Sequence, residues 1–232
     1  KTLRDCTTFA VRRSWSRFCA AVRSELDNLS ALLARPDDAL AAQPLLKDGG
    51  SSTVGRTRVQ GRELVIKRYN IKSFGHWLKR FWRPTRAWHS WLAAHRLQFL
   101  GIATPAPLAM IEQRFGPLRR RAWLITEYCG GVDLLHYLGE DGQHLPEPAV
   151  ADALLAVFDQ LVQARISHGD FKATNLLWHA ERVWLIDLDA MQAHRSDRSW
   201  QAAWQRDRQR FVRNWPAESP LAVWLEERLP RC

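Results

Sequence analysis

The chain has 232 residues, a formal net charge of +10 and 46% hydrophobic residues. A chain of this length buries about 70% of the surface that its unfolded form exposes, so it needs no disulfide or metal to fold. Its four cysteines include no C-x-x-C pair, which argues against a disulfide framework and a structural zinc site. Since no uncharged run reaches the roughly 20 residues of a membrane span and no signal peptide is evident, we expect a cytoplasmic protein.

The first segment predicts helices. Apolar residues recur at spacings of three and four over residues 8–34, as on one face of an amphipathic helix. Pro36, followed by two aspartates, predicts the start of another helix. We therefore expect residues 1–44 to form an N-terminal helical extension.

Residues 45–69 predict β-structure around a loop of small residues. Two strands are expected at residues 54–60 and 63–69. Backbone N–H groups of a small-residue loop can approach phosphate closely, although this loop lacks the G-x-G-x-x-G pattern and also fits an ordinary hairpin. The loop consists of Gly49, Gly50, Ser51, Ser52 and Thr53.

Residues 74–91 interleave tryptophan with positive charge ahead of and within a predicted helix over residues 85–100. Such a segment suits the headgroup region of an anionic membrane. The alternative, which we favour, is that the tryptophans pack this helix against the sheet and the cations are solvated. The residues are Trp77, Trp82, Trp88 and Trp91, with Lys79, Arg80, Arg83 and Arg86.

Two more strands are predicted at residues 107–112 and 122–128, and Gly130 with Gly131 then predicts a boundary. A helix over residues 147–165 has a regular apolar face and leads into a polar loop.

That polar loop has the pattern H-x-D-x-x-x-x-N, formed by His168, Asp170 and Asn175, with Asp187 following twelve residues later at the end of an apolar run. A phosphoryl-transfer site needs a carboxylate to accept the proton of the attacking hydroxyl, and an amide and a second carboxylate to hold magnesium. Lys172, beside Asp170, can offset charge on the transferred group. The alternative is a polar turn between two strands.

The tail at residues 205–215 predicts a basic helix, interpreted as a solvated face in preference to an anion-binding one. No A-P-E motif or long activation segment follows Asp187, which favours a small-molecule or glycan acceptor over a peptide.

Several stretches together resemble the bacterial lipopolysaccharide core kinase family of the protein-kinase-like superfamily. They are HGDFKATNLLW, WLIDLDAM, LKDGGSSTVGR, LVIKRYN, GIATPAPLAMIE and RDRQRFVRNW, and they cover residues 45–216. The resemblance implies an α+β, two-lobed protein-kinase-like fold. Residues 45–129 would form the small β-rich, nucleotide-binding lobe, and residues 130–232 the mainly helical lobe with the catalytic and metal-binding loops.

The resemblance also implies ATP and Mg²⁺, with phosphoryl transfer to a heptose or Kdo hydroxyl of the lipopolysaccharide inner core. Asp170 would be the base, Lys172 would stabilise the transferred group, and His168 would brace the loop. Asn175 and Asp187 would hold magnesium, while Asp189 would hold a second magnesium or brace the loop. The nucleotide would contact Lys67, the small-residue loop and a hinge that includes Glu127 and Cys129.

The implied partners are a lipid-linked core oligosaccharide and an anionic inner-membrane surface or acidic protein, with no nucleic acid. One departure is that no Asp or Glu occurs in residues 68–111, so the helix cannot supply the glutamate that pairs with the lysine in protein kinases. A pseudokinase binding module therefore remains an alternative, as does an aminoglycoside- or choline-kinase-like phosphotransferase.

Overall fold

The computed structural model describes residues 2–42, 44–70 and 83–231. The fold is mixed α/β and divides into two compact units. The first contains Lys1–His95 and Pro105–Tyr128, and the second contains Arg96–Thr104 and Cys129–Cys232. Of the tryptophan-rich segment, Trp77, Lys79, Arg80 and Trp82 lie outside the described residues.

The first unit is built on a seven-stranded antiparallel sheet, counted over the described residues, with strand order β1-β2-β6-β7-β5-β4-β3. Its strands are β1 (Phe9–Arg13), β2 (Arg17–Val22), β3 (Leu45–Gly49), β4 (Ser52–Val59), β5 (Arg62–Tyr69), β6 (Pro107–Phe115) and β7 (Leu118–Glu127).

Helices cover both faces of this sheet. The short helices α1 (Ser30–Ala34) and α2 (Pro36–Ala41) pack on the face that carries Ile66, while α3 (Arg86–Phe99) packs on the face that carries Tyr69. Side chains alternate between faces along a strand, so Lys67 lies on the same face of β5 as Tyr69.

The predicted helix over residues 8–34 is wrong over residues 9–22, which form β1 and β2 instead, and the α-helix in this range begins only at Ser30. The physical reason is that β2 is buried on both of its faces. Phe18 lies in the cluster beneath α3, whereas Ala21 lies in the cluster beneath α1 and α2. A strand covered on both faces shows no polar alternation, and its apolar run then also matches helical spacing. The predicted helix start at Pro36 is confirmed by α2.

Trp91 is fully buried, and the ring of Trp88 lies 5.3 Å from that of Phe18. These two tryptophans therefore pack against the sheet, as the favoured alternative expects. No helix in the described ranges combines the length and apolar character that crossing a membrane requires.

The second unit is mainly helical around aromatic packing. The rings of Phe158 and Phe171 stack 4.7 Å apart, and Phe211 packs 5.1 Å from Phe158. Since Phe171 lies within the polar loop, this packing anchors the loop to the core. Its helices are α4 (Leu134–Leu138), α5 (Pro148–Gln163), α6 (Asp197–Val212) and α7 (Pro220–Arg228), and its strands are β8 (Val132–Asp133), β9 (Ile166–Ser167), β10 (Leu176–His179), β11 (Arg182–Leu185) and β12 (Gln192–Ala193).

Candidate active site

The polar loop between β9 and β10 is folded on itself by short hydrogen bonds. The Lys172 N–H and the Asn175 side-chain amide both donate to the Asp170 carbonyl, at 2.9 and 2.8 Å. The Asn175 N–H in turn donates to the Lys172 carbonyl at 2.9 Å. These bonds fix the backbone of Asp170.

Two cations contact the Asp170 carboxylate. Arg210, on α6, donates to Oδ1 from Nε at 2.7 Å and from Nη2 at 2.6 Å, and Lys172 Nζ lies 3.4 Å from Oδ2. Partial burial raises the pKa of Asp170, but the hydrogen bond from Arg210 and the charge of Lys172 outweigh it, so the pKa lies below its usual value. Asp170 is therefore ionised at neutral pH, as a proton acceptor must be.

We expect Arg210→Ala to raise the pKa of Asp170, because it removes the cation that hydrogen-bonds the carboxylate. The measurement is an NMR titration of the Asp170 carboxyl, with Arg198→Ala, an exposed arginine in the first turn of the same helix, as control. The acidic limb of the pH profile of kcat/KM should move to higher pH together with the pKa of Asp170. A titration midpoint equal in wild type and Arg210→Ala would show that Arg210 does not hold the Asp170 carboxyl ionised.

His168 links the loop to the strand that precedes Asp187. It is buried, and its Nε2–H donates to the Ile186 carbonyl at 3.0 Å. Burial lowers the pKa of His168 in spite of nearby carboxylates, so the ring is neutral. Nδ1 has no hydrogen-bond partner among the described residues. His168 thus braces the loop and is not placed as a base.

Asp207 is a residue of this site that sequence reasoning missed. It lies on α6, is 3% exposed, and accepts the His168 N–H at 2.5 Å and the Gly169 N–H at 3.0 Å. Burial raises the pKa of Asp207 against the effect of these hydrogen bonds. The signal was present in the sequence, since Asp207 shares the apolar face of α6 with Trp204 and Phe211.

Gly169 is required by the same geometry. Its φ is +79°, and an added Cβ would lie 2.6 Å from the carbonyl oxygen of Ala190. A larger residue would therefore both strain the backbone and push apart the loop and the segment after Asp187.

Asn175 and Asp187 are joined through the backbone, because the Ile186 N–H donates to the Asn175 carbonyl at 3.0 Å. Asp187 has left-handed dihedrals, φ 58° and ψ 57°, a conformation uncommon outside glycine and concentrated at functional sites. The Asn175 amide nitrogen is used by the Asp170 carbonyl, which leaves the amide oxygen to face a cation. Asp189 lies two residues on, in the 3₁₀ turn Leu188–Ala190.

This donor set suits magnesium, which prefers carboxylate and amide oxygens and keeps several waters or phosphate ligands. Within residues 2–42, 44–70 and 83–231, no three His, Cys, Asp or Glu side chains form a group able to hold a metal ion. A magnesium site here would thus combine the Asn175 oxygen and Asp187 with water and phosphate, and could include Asp189.

In the first unit, Lys67 Nζ lies 5.1 Å from the centroid of the Tyr69 ring. The Tyr69 hydroxyl hydrogen-bonds Ser90 of α3 at 3.1 Å, and the Arg86 guanidinium also lies 5.1 Å from the same centroid. α3 therefore contributes to the surroundings of Lys67 through Tyr69 rather than through an acidic residue. A cation over an aromatic ring is a favourable contact.

The small-residue loop is only partly a loop. Gly50 and Ser51 form the turn between β3 and β4, with Gly49 ending β3, while Ser52 and Thr53 are buried within β4. The Thr53 hydroxyl donates to Asp48 at 3.3 Å and accepts from Asn70 at 3.1 Å. The Thr53 side chain thus stabilises the hairpin formed by β3 and β4.

The hinge candidates Glu127 and Cys129 fall in different units. The Glu127 N–H donates to the Ala106 carbonyl at 2.9 Å, and its carboxylate pairs with Arg62 at 2.6 Å. Burial raises the pKa of the Cys129 thiol, so Cys129 is a neutral thiol at neutral pH.

Known proteins resemble this chain in sequence and in fold. It is 26% identical over 124 residues to 3-deoxy-D-manno-octulosonic acid kinase of Vibrio cholerae serotype O1, a match that covers 51% of this chain. The chain spans about half the length of this curated relative, at 49%. A solved structure described as WaaP in complex with acyl carrier protein superposes with a TM-score of 0.54 at 22% identity, covering 83% of this chain and 90% of that one.

The family model described as lipopolysaccharide kinase (Kdo/WaaP) family matches residues 46–215. This match includes every element that carries the candidate site, from the small-residue loop to the α6 residues that hold Asp170. Because it extends over well more than half of the chain, the protein belongs to the lipopolysaccharide kinase (Kdo/WaaP) family.

Proposed function

We propose that this protein is a kinase that transfers the γ-phosphoryl group of ATP to a sugar hydroxyl, of heptose or Kdo, in the lipopolysaccharide inner core. The observation that carries the proposal is the ionised Asp170 carboxylate, on a loop that shares backbone hydrogen bonds with Asn175 and the strand before Asp187. Family membership and the acceptor named for the Vibrio relative support the substrate class.

In this proposal the fold is two-lobed and protein-kinase-like. Residues 45–129 form the nucleotide-binding lobe and residues 130–232 the catalytic lobe, while residues 1–44 precede the first lobe in the chain and add β1 and β2 to its sheet. The fold-level likeness to WaaP supports it.

Asp170 accepts the proton of the acceptor hydroxyl, and Lys172, 3.4 Å from its carboxylate, stabilises the transferred group. Asn175 and Asp187, with Asp189, hold Mg²⁺. Magnesium-bound ATP would supply the phosphoryl group, and the positive charge of magnesium would offset the negative charge that develops on this group. Lys67 and the turn at Gly50 and Ser51 contact the phosphates, and the backbone at Glu127 and Cys129 contacts the adenine.

We further propose that an acidic protein is a partner of the enzyme. The net charge of +10 favours an acidic surface. The related WaaP was solved in complex with acyl carrier protein, which supports a partner of this kind. Peripheral location at the inner membrane would bring the enzyme to a lipid-linked acceptor.

Magnesium-ATP should raise the melting temperature, because a ligand that binds only the folded state stabilises it by mass action. Asp187→Ala should remove the magnesium-dependent part of that increase, and Asp152→Ala, an exposed carboxylate on α5, should leave it intact. The measurement is a thermal melt with ATP, with and without magnesium. A melting curve unchanged by saturating magnesium-ATP would contradict a kinase function of any kind.

The direct test of the proposed function is phosphoryl transfer to an isolated inner-core glycan.

A further inference from the structure

A cavity of about 670 Å³ lies in the second unit beside the polar loop. Four cationic side chains line it, against one carboxylate, that of Asp207. Asp207 accepts hydrogen bonds from the His168 and Gly169 N–H groups, and its single negative charge, which acts on Arg206, offsets at most one of the four cations. The four cations are Lys172, Arg206, Arg210 and Arg213.

The three arginines share one face of α6 and its C-terminal cap, Arg213, because they are spaced by four and then three residues. The opposite face is fixed by burial of Trp204 and Phe211 in the core. Arg210 pairs with Asp170, whereas Arg206 and Arg213 pair with no carboxylate in the described part of the chain. The face therefore presents two guanidinium groups that form no ion pair with a described residue, and the charge of Asp207 acts on one of them, Arg206.

The cavity lies beside Asp170, the proposed catalytic base, which does not itself line it. Arg210 and Lys172 both line it and both contact the Asp170 carboxylate, at 2.6 and 3.4 Å. An anion bound to Arg206 and Arg213 would thus hold the remainder of its molecule close to Asp170. Asn214, Gln209 and Gln192 add hydrogen-bonding groups that suit sugar hydroxyls.

We propose that this cavity binds the acceptor through a carboxylate on the sugar itself, and so selects an acidic sugar over a neutral heptose. This inference rests on the proposed function and narrows it to the acidic acceptor, Kdo. Guanidinium groups bind carboxylates by paired, charge-assisted hydrogen bonds. A neutral sugar would leave these cations without a partner, which is how a polar site rejects an analogue that lacks the matching group.

The test compares two probes, the methyl glycoside of Kdo and its methyl ester, which lacks the negative charge and carries one additional methyl group. Binding is measured by calorimetry with wild type, Arg206→Gln, Arg213→Gln and the double variant. Arg198→Gln is the matched control, since Arg198 lies on the same helix outside the cavity. Inorganic phosphate is titrated separately as a competitor. Thermal melts check that each variant is folded.

Wild type and Arg198→Gln should bind the acid at least about tenfold more tightly than the ester, the scale of one charge-assisted pair. The double variant should lose that preference and retain the affinity for the ester. Equal affinity of wild type for acid and ester would overturn the inference. Competition by phosphate without a preference for the acid would overturn it too, and would assign the site to a phosphate group.

The same samples then receive magnesium-ATP and core glycan. Transfer without acid preference would leave the proposed function standing and refute the acidic-acceptor site. Acid preference without transfer to any core glycan would support the site and refute the proposed function.

Discussion

Asp170→Asn is expected to lower kcat by about 10² or more while leaving the affinity for ATP nearly unchanged. An amide keeps the shape of the carboxylate and can still accept the hydrogen bond from Arg210, but it cannot accept the hydroxyl proton. The measurement is steady-state transfer to a core acceptor, together with the melting shift caused by magnesium-ATP.

Asp152→Asn, the same substitution at an exposed position of α5, is the control and should behave as wild type. Near-normal turnover by Asp170→Asn on the true acceptor would show that Asp170 is not the base. A loss of ATP affinity in parallel with kcat would place Asp170 in nucleotide binding instead.

Asp207→Ala is expected to have the largest effect on stability. It leaves the buried N–H group of His168 and the partly buried N–H group of Gly169 without their acceptor, and a fully buried group left unsatisfied costs about 1–3 kcal/mol. We therefore expect the free energy of unfolding to fall by about 2–5 kcal/mol. The measurement is the urea midpoint at constant m-value.

Activity should separate a positioning role of Asp207 from a merely structural one. With the loop no longer held, kcat should fall in the fraction of protein that remains folded, while the melting shift caused by magnesium-ATP persists. Asp207→Asn retains one acceptor oxygen and should recover part of the loss in stability and part of the loss in kcat.

The control is Asp197→Ala, at an exposed aspartate on the same helix. It should lower the free energy of unfolding by less than about 1 kcal/mol, since the ion pair of Asp197 with Arg165 is on the surface. Full activity of Asp207→Ala below its unfolding transition would refute the positioning role.

The residues proposed for chemistry could be found in the sequence because their spacing is local. The eight residues from His168 to Asn175 form a single loop, and Asp187 lies at the far end of the next hairpin. Local hydrogen bonds hold most of this arrangement together, so a linear motif carries it.

Contacts made across the fold were harder to infer. Asp207 and Arg210 act on residues 38 to 40 positions earlier, and their own stretch is interpreted from the sequence as a solvated basic face. A carboxylate within an apolar helical face was the available sign for Asp207. Nothing local indicated that Arg210 contacts Asp170, because that pairing depends on how α6 packs against the loop.

The error at β1 and β2 has a different origin. Phe18 and Ala21 are buried on opposite faces of one strand, so the hydrophobic pattern does not alternate. Periodicity distinguishes strand from helix only when one face is polar. The part that α3 plays near Lys67 was also beyond the sequence, since the hydrogen bond between Ser90 and the Tyr69 hydroxyl depends on α3 lying over that face of the sheet.

The central claim is best tested by mass spectrometry of an isolated inner-core glycan incubated with the protein and magnesium-ATP. We predict a mass increase of one phosphate, which fragmentation places on a core sugar and which is absent with Asp170→Asn or without magnesium. An unchanged mass with folded wild-type protein, across core glycans that carry either heptose or Kdo as the open acceptor, would contradict the account.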